Sequence, residues 1–321
     1  MSEGVINIAA AAVTPDVIEH PIRRALAQPR VLAGGGLLLL IFGLCLITLP
    51  WTLSIGSQLF YDNQDFSRSL ARPTLDSPLL WFGTDQLGRP LVGRCLIGGA
   101  ISLAVGAAAA TISIVLGVSV GLVAGYRGGW VDSFLMRSVD IFYGLPYVLL
   151  IILFKVSLEK PIQRLLNDNN IVANLIVLFL AIGLVSWLTM ARVVRGQVLS
   201  LRSQPFIEAA RALGLPERRI FFKHLLPNLV GPITVYATLT IPQAILQESF
   251  LSFLGIGVNA PMATWGSLAA DGLAPALNPI ISRWWLLLFP CVLLAITLLS
   301  LNFLGDGLRD LFDPKRDAAK I

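Results

Sequence analysis

The chain of 321 residues is 55% hydrophobic and only 13% charged, whereas soluble globular domains are about 45–50% apolar and about 25% charged. A soluble fold of this length would lack polar surface, so the composition indicates a protein that lies largely in lipid. The formal net charge is +5, but the basic residues lie between apolar blocks rather than along one stripe. This distribution argues against a nucleic acid partner.

Six apolar segments are long enough to cross the hydrocarbon core of a bilayer, which requires about 20 residues. They are residues 31–53, 96–124, 139–156, 171–190, 229–254 and 284–303. Arginines precede the first segment, as in a signal peptide, but its apolar run is too long and no small-residue cleavage site follows. We therefore interpret it as an uncleaved span. The predicted fold class is an all-α membrane protein with about six transmembrane helices.

The distribution of positive charge predicts the orientation of these spans, because cytoplasmic segments carry an excess of Lys and Arg. With the N-terminus in the cytoplasm, 16 of the 24 Lys and Arg residues fall in cytoplasmic segments. We therefore expect cytoplasmic tails at 1–30 and 305–321 and an extracytoplasmic segment at 54–95. A five-helix core then occupies 96–304 and includes a cytoplasmic loop at 192–228.

Small residues and prolines give the spans further features. The second span has glycines at four-residue spacing, and they are Gly117, Gly121 and Gly125. Small residues on one face allow helix backbones to approach closely, so we expect this face to pack against another helix of the chain. Pro146, Pro232 and Pro242 are expected to kink the third and fifth spans, since each removes a helical N–H donor.

The chain has no motif for harvesting energy or for catalysis. It lacks the phosphate-binding sequence G-x-x-x-x-G-K-[ST], and its only histidines, His20 and His224, are too far apart for an H-E-x-x-H zinc site. The three cysteines are widely separated and are interpreted as small buried hydrophobic residues. We therefore predict no catalytic residue, no metal site and no bound cofactor in this chain.

One carboxylate, Glu248, lies deep in a span, and intramembrane acids often serve transport. A buried structural acid and a pore-lining group both fit its position. With Gln243 and Gln247 it forms a candidate set for the translocation pathway or for gating. In an ion-coupled secondary carrier Glu248 would be the key residue. A polytopic membrane enzyme would instead need converging acids or metal ligands, which the sequence does not offer.

The loop at 192–228 contains the pattern of a short helix of roughly ten residues. Ser203 is a candidate N-cap, Pro205 suits a first turn, and Glu208 favours the positive end of the helix dipole. Gly214 supplies a left-handed terminus. A second helix is predicted over 216–226, ending at Pro227.

The spacing of Phe206, Ala210 and Leu213 is i, i+4, i+7, which predicts one apolar stripe on the first loop helix. Ala209 beside the stripe leaves room for a partner to approach. The second helix has an apolar face that could rest on the membrane, and its residues are Ile220, Phe221, His224 and Leu225. The pattern therefore fits either a docking surface or two interfacial amphipathic helices.

Several motifs resemble a known family. Glu208-Ala-Ala, Gly214 and Leu226-Pro227 resemble the EAA loop of binding-protein-dependent ABC permeases. Further motifs resemble the C-type subunit of oligopeptide and dipeptide permeases: Phe82-Gly-Thr-Asp-x-x-Gly-Arg89, Ala124-Gly-Tyr-Arg-Gly-Gly-Trp-Val-Asp132, Met136-Arg-x-x-Asp140, Leu251-Ser-Phe-Leu-Gly255, Trp265-Gly266 and Gly305-Asp-Gly-Leu-Arg-Asp-x-x-Asp-Pro314. The resemblance covers residues 23–316, and residues 181–196 resemble the oligopeptide branch in particular. One departure is Pro90, where many relatives have aspartate.

This resemblance implies the type I ABC importer permease fold, in a bacterial inner membrane, with the first loop helix as a coupling helix. It also implies a homologous B-type permease subunit, two ATP-binding subunits that hold ATP and Mg, and an extracytoplasmic peptide-binding protein. The expected substrates are oligopeptides, with dipeptides, nickel chelates or other small solutes as alternatives. The residues expected to contact an ATP-binding subunit are Phe206, Glu208, Ala209, Ala210, Leu213 and Gly214.

Overall fold

The computed structural model describes residues 29–167 and 169–312, which form a bundle of α-helices. The helices are α1 Pro29–Leu53, α2 Leu91–Arg127, α3 Gly129–Tyr143, α4 Tyr147–Leu165, α5 Asn170–Arg202, α6 Pro205–Ala212, α7 Glu217–Phe253, α8 Trp265–Ala276 and α9 Trp285–Phe312. Residues 54–90 connect α1 to α2 through two short 3₁₀ turns and one antiparallel bridge between Thr84 and Pro90.

Five helices in the described part of the chain, α1, α2, α5, α7 and α9, are long and apolar enough to cross a membrane. The predicted third span at 139–156 is broken, because α3 and α4 meet there at an angle of 97°, and the predicted kink at Pro146 is confirmed. The break falls at Pro146, which lacks an N–H and disfavours the helical conformation of Leu145. The number of spans is six if α3 and α4 cross as one broken span.

Several helices extend beyond the predicted spans. Helix α2 begins at Leu91 instead of 96, α5 continues to Arg202 beyond the predicted end at 190, and α9 continues to Phe312 beyond 303. Hydropathy detects only the part of a helix that lies in lipid, and polar residues do not end a helix that projects from the membrane. The predicted tails lie mostly outside the described residues.

The second loop helix does not end at Pro227. Helix α7 begins at Glu217, widens into a π turn over Phe221–Leu225 and continues through Pro232 and Pro242 to Phe253. Pro227 lies directly after the π turn, where the regular hydrogen-bond pattern is already interrupted, and the helix continues past it. The loop helix α6 is therefore joined by a short turn to one continuous 37-residue helix.

Helices α2 and α5 pack along the glycine face of α2. A Cβ atom would lie 2.5 Å from Met190 Cβ at Gly117, 2.6 Å from the Ala191 carbonyl oxygen at Gly121 and 2.8 Å from Val198 Cβ at Gly125. At these distances a side chain at any of the three positions would force its neighbours to shift, so glycine permits the close approach of the two backbones. The partner of this face is a helix of the same chain.

A central hydrophobic cluster joins α2, α4, α5 and α7. Its buried members are Val105, Ala109, Leu150, Ile151, Leu178, Ala181, Ile182, Val185, Ala244 and Leu251. Helices α1 and α7 have the least buried apolar windows of the five long helices, with 22% buried in each, compared with 50% for α2 and α5. Unlike α1, α7 contributes residues to the central cluster, and the central cavity described below lies beside these packed helices.

Candidate functional site

The first turn of helix α6 agrees with the sequence prediction, but its N-cap does not. Pro205 occupies its first turn and Glu208 lies in that turn too. The N-cap is Gln204, whose side chain makes no capping hydrogen bond. The prediction of Ser203 as the cap is wrong, because its hydroxyl instead donates to the Ser200 carbonyl oxygen at 3.0 Å at the end of α5.

The end of α6 is fixed by Gly214, which has a φ of +72°. The Leu215 N–H donates to the Ala210 carbonyl oxygen at 3.2 Å, and the Gly214 N–H donates to the Arg211 carbonyl oxygen at 2.9 Å. This pair of hydrogen bonds is a Schellman motif, which requires a residue that adopts the left-handed conformation easily. The predicted left-handed terminus at Gly214 is confirmed.

The predicted apolar stripe on α6 is divided between two faces. Ala210 is only 5% exposed, whereas Phe206 is 44% and Leu213 is 81% exposed. The prediction of one stripe is therefore wrong, and Ala210 faces its own chain. Ile207, three residues before Ala210, is larger and fully buried, so these two residues form the inner face of α6.

The inner face of α6 packs on the start of α7. Ile207 and Ala210 form a buried cluster with Ile220 and Leu225. The prediction that Ile220 and Leu225 lie on the membrane is therefore wrong, because they cover α6 instead. This apolar contact fixes the position of α6 on the end of α7.

Polar contacts add to this attachment. The Tyr126 hydroxyl at the end of α2 bonds to the side chain of Glu217 and donates to its carbonyl oxygen at 3.1 Å. Arg211 of α6 lies 3.5 Å from the Glu217 carboxylate. Five of the six predicted contact residues remain exposed on the opposite side of α6 and its terminus, and they are Phe206, Glu208, Ala209, Leu213 and Gly214.

A cavity of about 400 Å³ lies between the α3–α4 bend, α5 and α7. Its lining residues are Phe142, Tyr143, Leu145, Tyr147, Leu150, Val185, Ser186, Leu188, Thr189, Met190, Tyr236, Leu239, Thr240, Gln243 and Gln247. The structure thus brings two of the predicted pathway residues, Gln243 and Gln247, to one wall. We refer to this space as the central cavity.

The third candidate, Glu248, does not line the central cavity. Its side chain is fully buried, and its Oε1 accepts hydrogen bonds from the hydroxyls of Ser252 and Thr264, both at 2.6 Å. Its Oε2 accepts from the Ser102 hydroxyl at 3.3 Å. Because Thr264 also caps the start of α8, Glu248 connects α2, α7 and α8. This geometry favours the structural interpretation of Glu248.

Charged residues border the central cavity beside Tyr143. The Arg192 guanidinium donates to Asp140 at 2.7 Å and lies 3.8 Å from the centre of the Tyr143 ring. One turn further along α5, Arg195 forms two hydrogen bonds with Asp132, at 2.5 and 2.7 Å. In the sequence, these arginines indicated only the orientation of the spans. Pairing between residues over 50 positions apart left no local signal that could have revealed them.

A largely buried charge cluster lies beside the start of α2, and two of its four members, Asp85 and Arg89, belong to the motif Phe82–Arg89. The Asp85 carboxylate accepts hydrogen bonds from Arg89 and Arg94, both at 2.7 Å, and Arg89 also donates to Asp62 at 3.0 Å. Burial alone would lower the pKa of Arg89, but the two carboxylates more than offset this effect and the net shift of the pKa is upward. We call Asp62, Asp85, Arg89 and Arg94 the charge cluster.

Pro90 lies between these arginines at the N-cap position of α2, where it makes no side-chain hydrogen bond. Aspartate is among the preferred N-cap residues, because its carboxylate accepts from the free N–H groups of the first turn. An aspartate at this position would therefore cap α2, and Pro90 does not provide this cap.

The chain matches the family described as "Binding-protein-dependent transport system inner membrane component" over residues 117–318. It belongs to this family. As a permease component it is a multi-pass protein of the inner membrane, and ATP hydrolysis belongs to separate subunits. The ion-coupled carrier alternative has no support from the family or from the position of Glu248.

Curated relatives are similar over most of their length. The oligopeptide transport system permease protein OppC of Haemophilus influenzae is 42% identical over 285 residues, which cover 88% of this chain and 84% of the relative. The dipeptide transport system permease protein DppC of Bacillus subtilis is 41% identical over 284 residues, with coverage of 88% and 82%. OppC of Escherichia coli K12 is 42% identical over 293 residues, with coverage of 91% and 90%.

A solved structure of the MetNI methionine ABC transporter in an inward-facing conformation is similar in fold. It has a TM-score of 0.55 and 20% sequence identity, and the match covers 74% of this chain and 99% of that chain. At this identity the likeness concerns the fold alone. It agrees with the predicted type I importer permease fold.

Proposed function

We propose that this chain is one of two permease subunits of an ATP-driven importer for peptides, with oligopeptides as the main substrates. Relatives named as oligopeptide and dipeptide permeases, at 41–42% identity, support the substrate class. The proposed partners are a homologous B-type permease, two ATP-binding subunits that hold ATP and Mg, and an extracytoplasmic peptide-binding protein. Both termini are cytoplasmic, in agreement with the excess of positive charge on that side.

The proposal is supported mainly by α6, which has one face packed on its own chain and one face exposed. One face is seated on α7 through Ile207 and Ala210, and the other face is exposed with a fixed Schellman terminus. A helix that transmits force from a partner must be rigid on its own chain and open toward the partner. Phe206, Glu208, Ala209, Leu213 and Gly214 then form the contact with the ATP-binding subunit, whose ATP-driven closure displaces α6.

The central cavity is this subunit's share of the translocation pathway. Gln243 and Gln247 lie on α7, the helix that begins beside α6. Displacement of α6 therefore reaches a wall of the cavity through a single helix. The homologous permease subunit supplies the facing wall, and the two subunits alternate between states open to either side.

The test is to disable α6 in the complete reconstituted transporter. Glu208→Lys reverses a charge in the first turn, and Gly214→Val places a β-branched residue in a left-handed position, at a cost of about 1–2 kcal/mol. We expect both variants to insert and assemble but to lose ATP-dependent peptide uptake in proteoliposomes. Asp306→Lys, an equivalent charge reversal at an exposed position of α9, should leave uptake unchanged. Normal uptake by both α6 variants would overturn the assignment.

The alternative of a self-sufficient carrier has its own test. This chain reconstituted alone should neither hydrolyse ATP nor take up peptide under a proton gradient. Uptake by the lone chain would contradict the proposed function. Binding measurements on the cognate extracytoplasmic protein, with peptides of several lengths and with nickel chelates, would identify the substrate.

A further inference from the structure

The chemical character of the central cavity suggests how a substrate is recognised there. We propose that the cavity contacts peptides through backbone amides, with Gln247 as hydrogen-bond partner, and does not discriminate between side-chain charges. This inference rests on the proposed function and identifies the part of the substrate that the pathway contacts.

The lining is polar but uncharged. None of the described residues that line the cavity is Asp, Glu, Lys, Arg or His. Its polar members are three tyrosines, two glutamines and three hydroxyl residues, and they are Tyr143, Tyr147, Tyr236, Gln243, Gln247, Ser186, Thr189 and Thr240. Such groups can donate and accept hydrogen bonds, as the N–H and C=O of a peptide require. An ionised group in the same place would attract one substrate charge and repel the other.

Gln247 carries an unused acceptor beside this space. Its Oε1 is buried and has no hydrogen-bond partner among residues 29–167 and 169–312. A buried polar atom without a partner carries an energetic penalty, which a ligand N–H can relieve. The terminal torsion of glutamine is broad, so the amide can turn its oxygen toward a bound chain. Gln243, one turn earlier on α7, is exposed on the same wall.

The charges nearest the cavity are already neutralised. Asp140 and Arg192 pair with each other at 2.7 Å beside Tyr143. Glu248 follows Gln247 in the sequence, but it is fully buried and accepts three hydroxyl hydrogen bonds away from the cavity. The Asp140–Arg192 pair on the border is exposed but carries no net charge, so the border adds no net charge to the neutral lining. Selection by side chain must come from another component of the importer.

The test uses the complete transporter in proteoliposomes, with its binding protein saturated by each peptide. The probes are tri-alanine and its derivatives with central lysine or central glutamate. We expect the wild type to take up all three at rates within about threefold of each other, because the lining carries no net charge. Gln247→Glu should shift the ratio of lysine to glutamate peptide by roughly tenfold or more, since like charges repel at a desolvated site.

A fourth probe, tri-alanine with an N-methylated central amide, examines the backbone contact. The wild type should take it up more slowly than tri-alanine, and Gln247→Leu should remove this difference while slowing tri-alanine. Gln243→Glu repeats the charge test at an exposed position, in case Gln247→Glu does not fold. Gln163→Glu, on α4 outside the lining, is the matched control and should leave every ratio unchanged.

Three outcomes would overturn the inference. They are strong charge discrimination by the wild type, unchanged lysine-to-glutamate ratios in both glutamate variants, and preserved discrimination against the N-methylated probe in Gln247→Leu. Failure of the proposed function would look different. The wild-type importer would then take up none of the four peptides although its ATP-binding subunits hydrolyse ATP.

Discussion

The charge cluster beside the start of α2 and the outer face of the loop helix α6 have opposite surroundings. At the start of α2, Asp85, Arg89 and Arg94 are buried and paired with one another. The loop helix α6 exposes Glu208 to solvent, and its apolar Leu213 is exposed as well. The carboxylates and guanidinium groups of the charge cluster are paired within the chain, although the buried Arg94 Nε has no hydrogen-bond partner among the described residues, whereas the outer face of α6 is exposed. The difference indicates that the first region specifies the fold and that the second is available to a partner.

The same contrast appears in how each region resists change. A substitution in the charge cluster leaves a buried charge without its partner, which lowers the free energy of unfolding. A substitution on the exposed face of α6 removes few contacts within the chain, so it should lower the rate of peptide uptake and leave the free energy of unfolding nearly unchanged. Thermal unfolding of purified protein can therefore separate the two regions.

Asp85→Ala should have the largest effect on stability. It leaves Arg89 and Arg94 buried without their shared carboxylate, and breaking such a pair costs about 3–5 kcal/mol. We expect a large fall in the thermal unfolding temperature in detergent. Asp76→Ala, at an exposed position of the same connecting segment, is the control and should change the free energy of unfolding by less than about 0.5 kcal/mol. Equal unfolding temperatures for the two variants would contradict the proposed role of the charge cluster.

Gly121→Leu should have an intermediate effect. A side chain at this position would meet the Ala191 carbonyl oxygen, and overpacking of this kind costs about 1–3 kcal/mol. The control is Gly196→Leu on α5, because no atom lies within 4 Å of a Cβ at Gly196. Thermal unfolding of both variants would measure the α2–α5 contact, and a smaller effect at Gly121 than at Gly196 would contradict it.

Pro90→Asp should have the smallest effect, and in the opposite direction. The new carboxylate could cap the start of α2, where Pro90 makes no side-chain hydrogen bond. An N-cap contributes about 1 kcal/mol, and the loss of the rigid proline ring offsets part of it. We expect a small rise in the unfolding temperature, with Pro90→Ala as the reference without a cap. A variant no more stable than Pro90→Ala would contradict this account of the position.

The features that the sequence predicted are those that depend on local chemistry. Apolar runs identified the spans, and Gly214 marked the end of α6 because few other residues adopt its conformation. Pro146 marked a break, but a proline does not specify an angle, so the 97° bend came only with the structure. Long-range contacts were also missing, since nothing near Asp140 in the sequence indicates that its partner is Arg192.

The division of α6 illustrates a second limit. Helical spacing identified Phe206, Ala210 and Leu213 as neighbours on one side, but it does not state what that side contacts. The competing pair of Ile207 and Ala210 buries more apolar surface against Ile220 and Leu225. The spacing was therefore compatible with two faces, and only the position of α7 selects between them.

The continuity of α7 has a mechanical consequence. Its 37 residues correspond to an axial length of about 55 Å at 1.5 Å per residue. If such a rod pivots by about 10° at the end next to α6, its far end moves by about 10 Å. Its softest points are the π turn at Phe221–Leu225 and the two prolines Pro232 and Pro242, where regular hydrogen bonding is interrupted. The leverage of a small stroke at α6 therefore depends on how stiff these three points are.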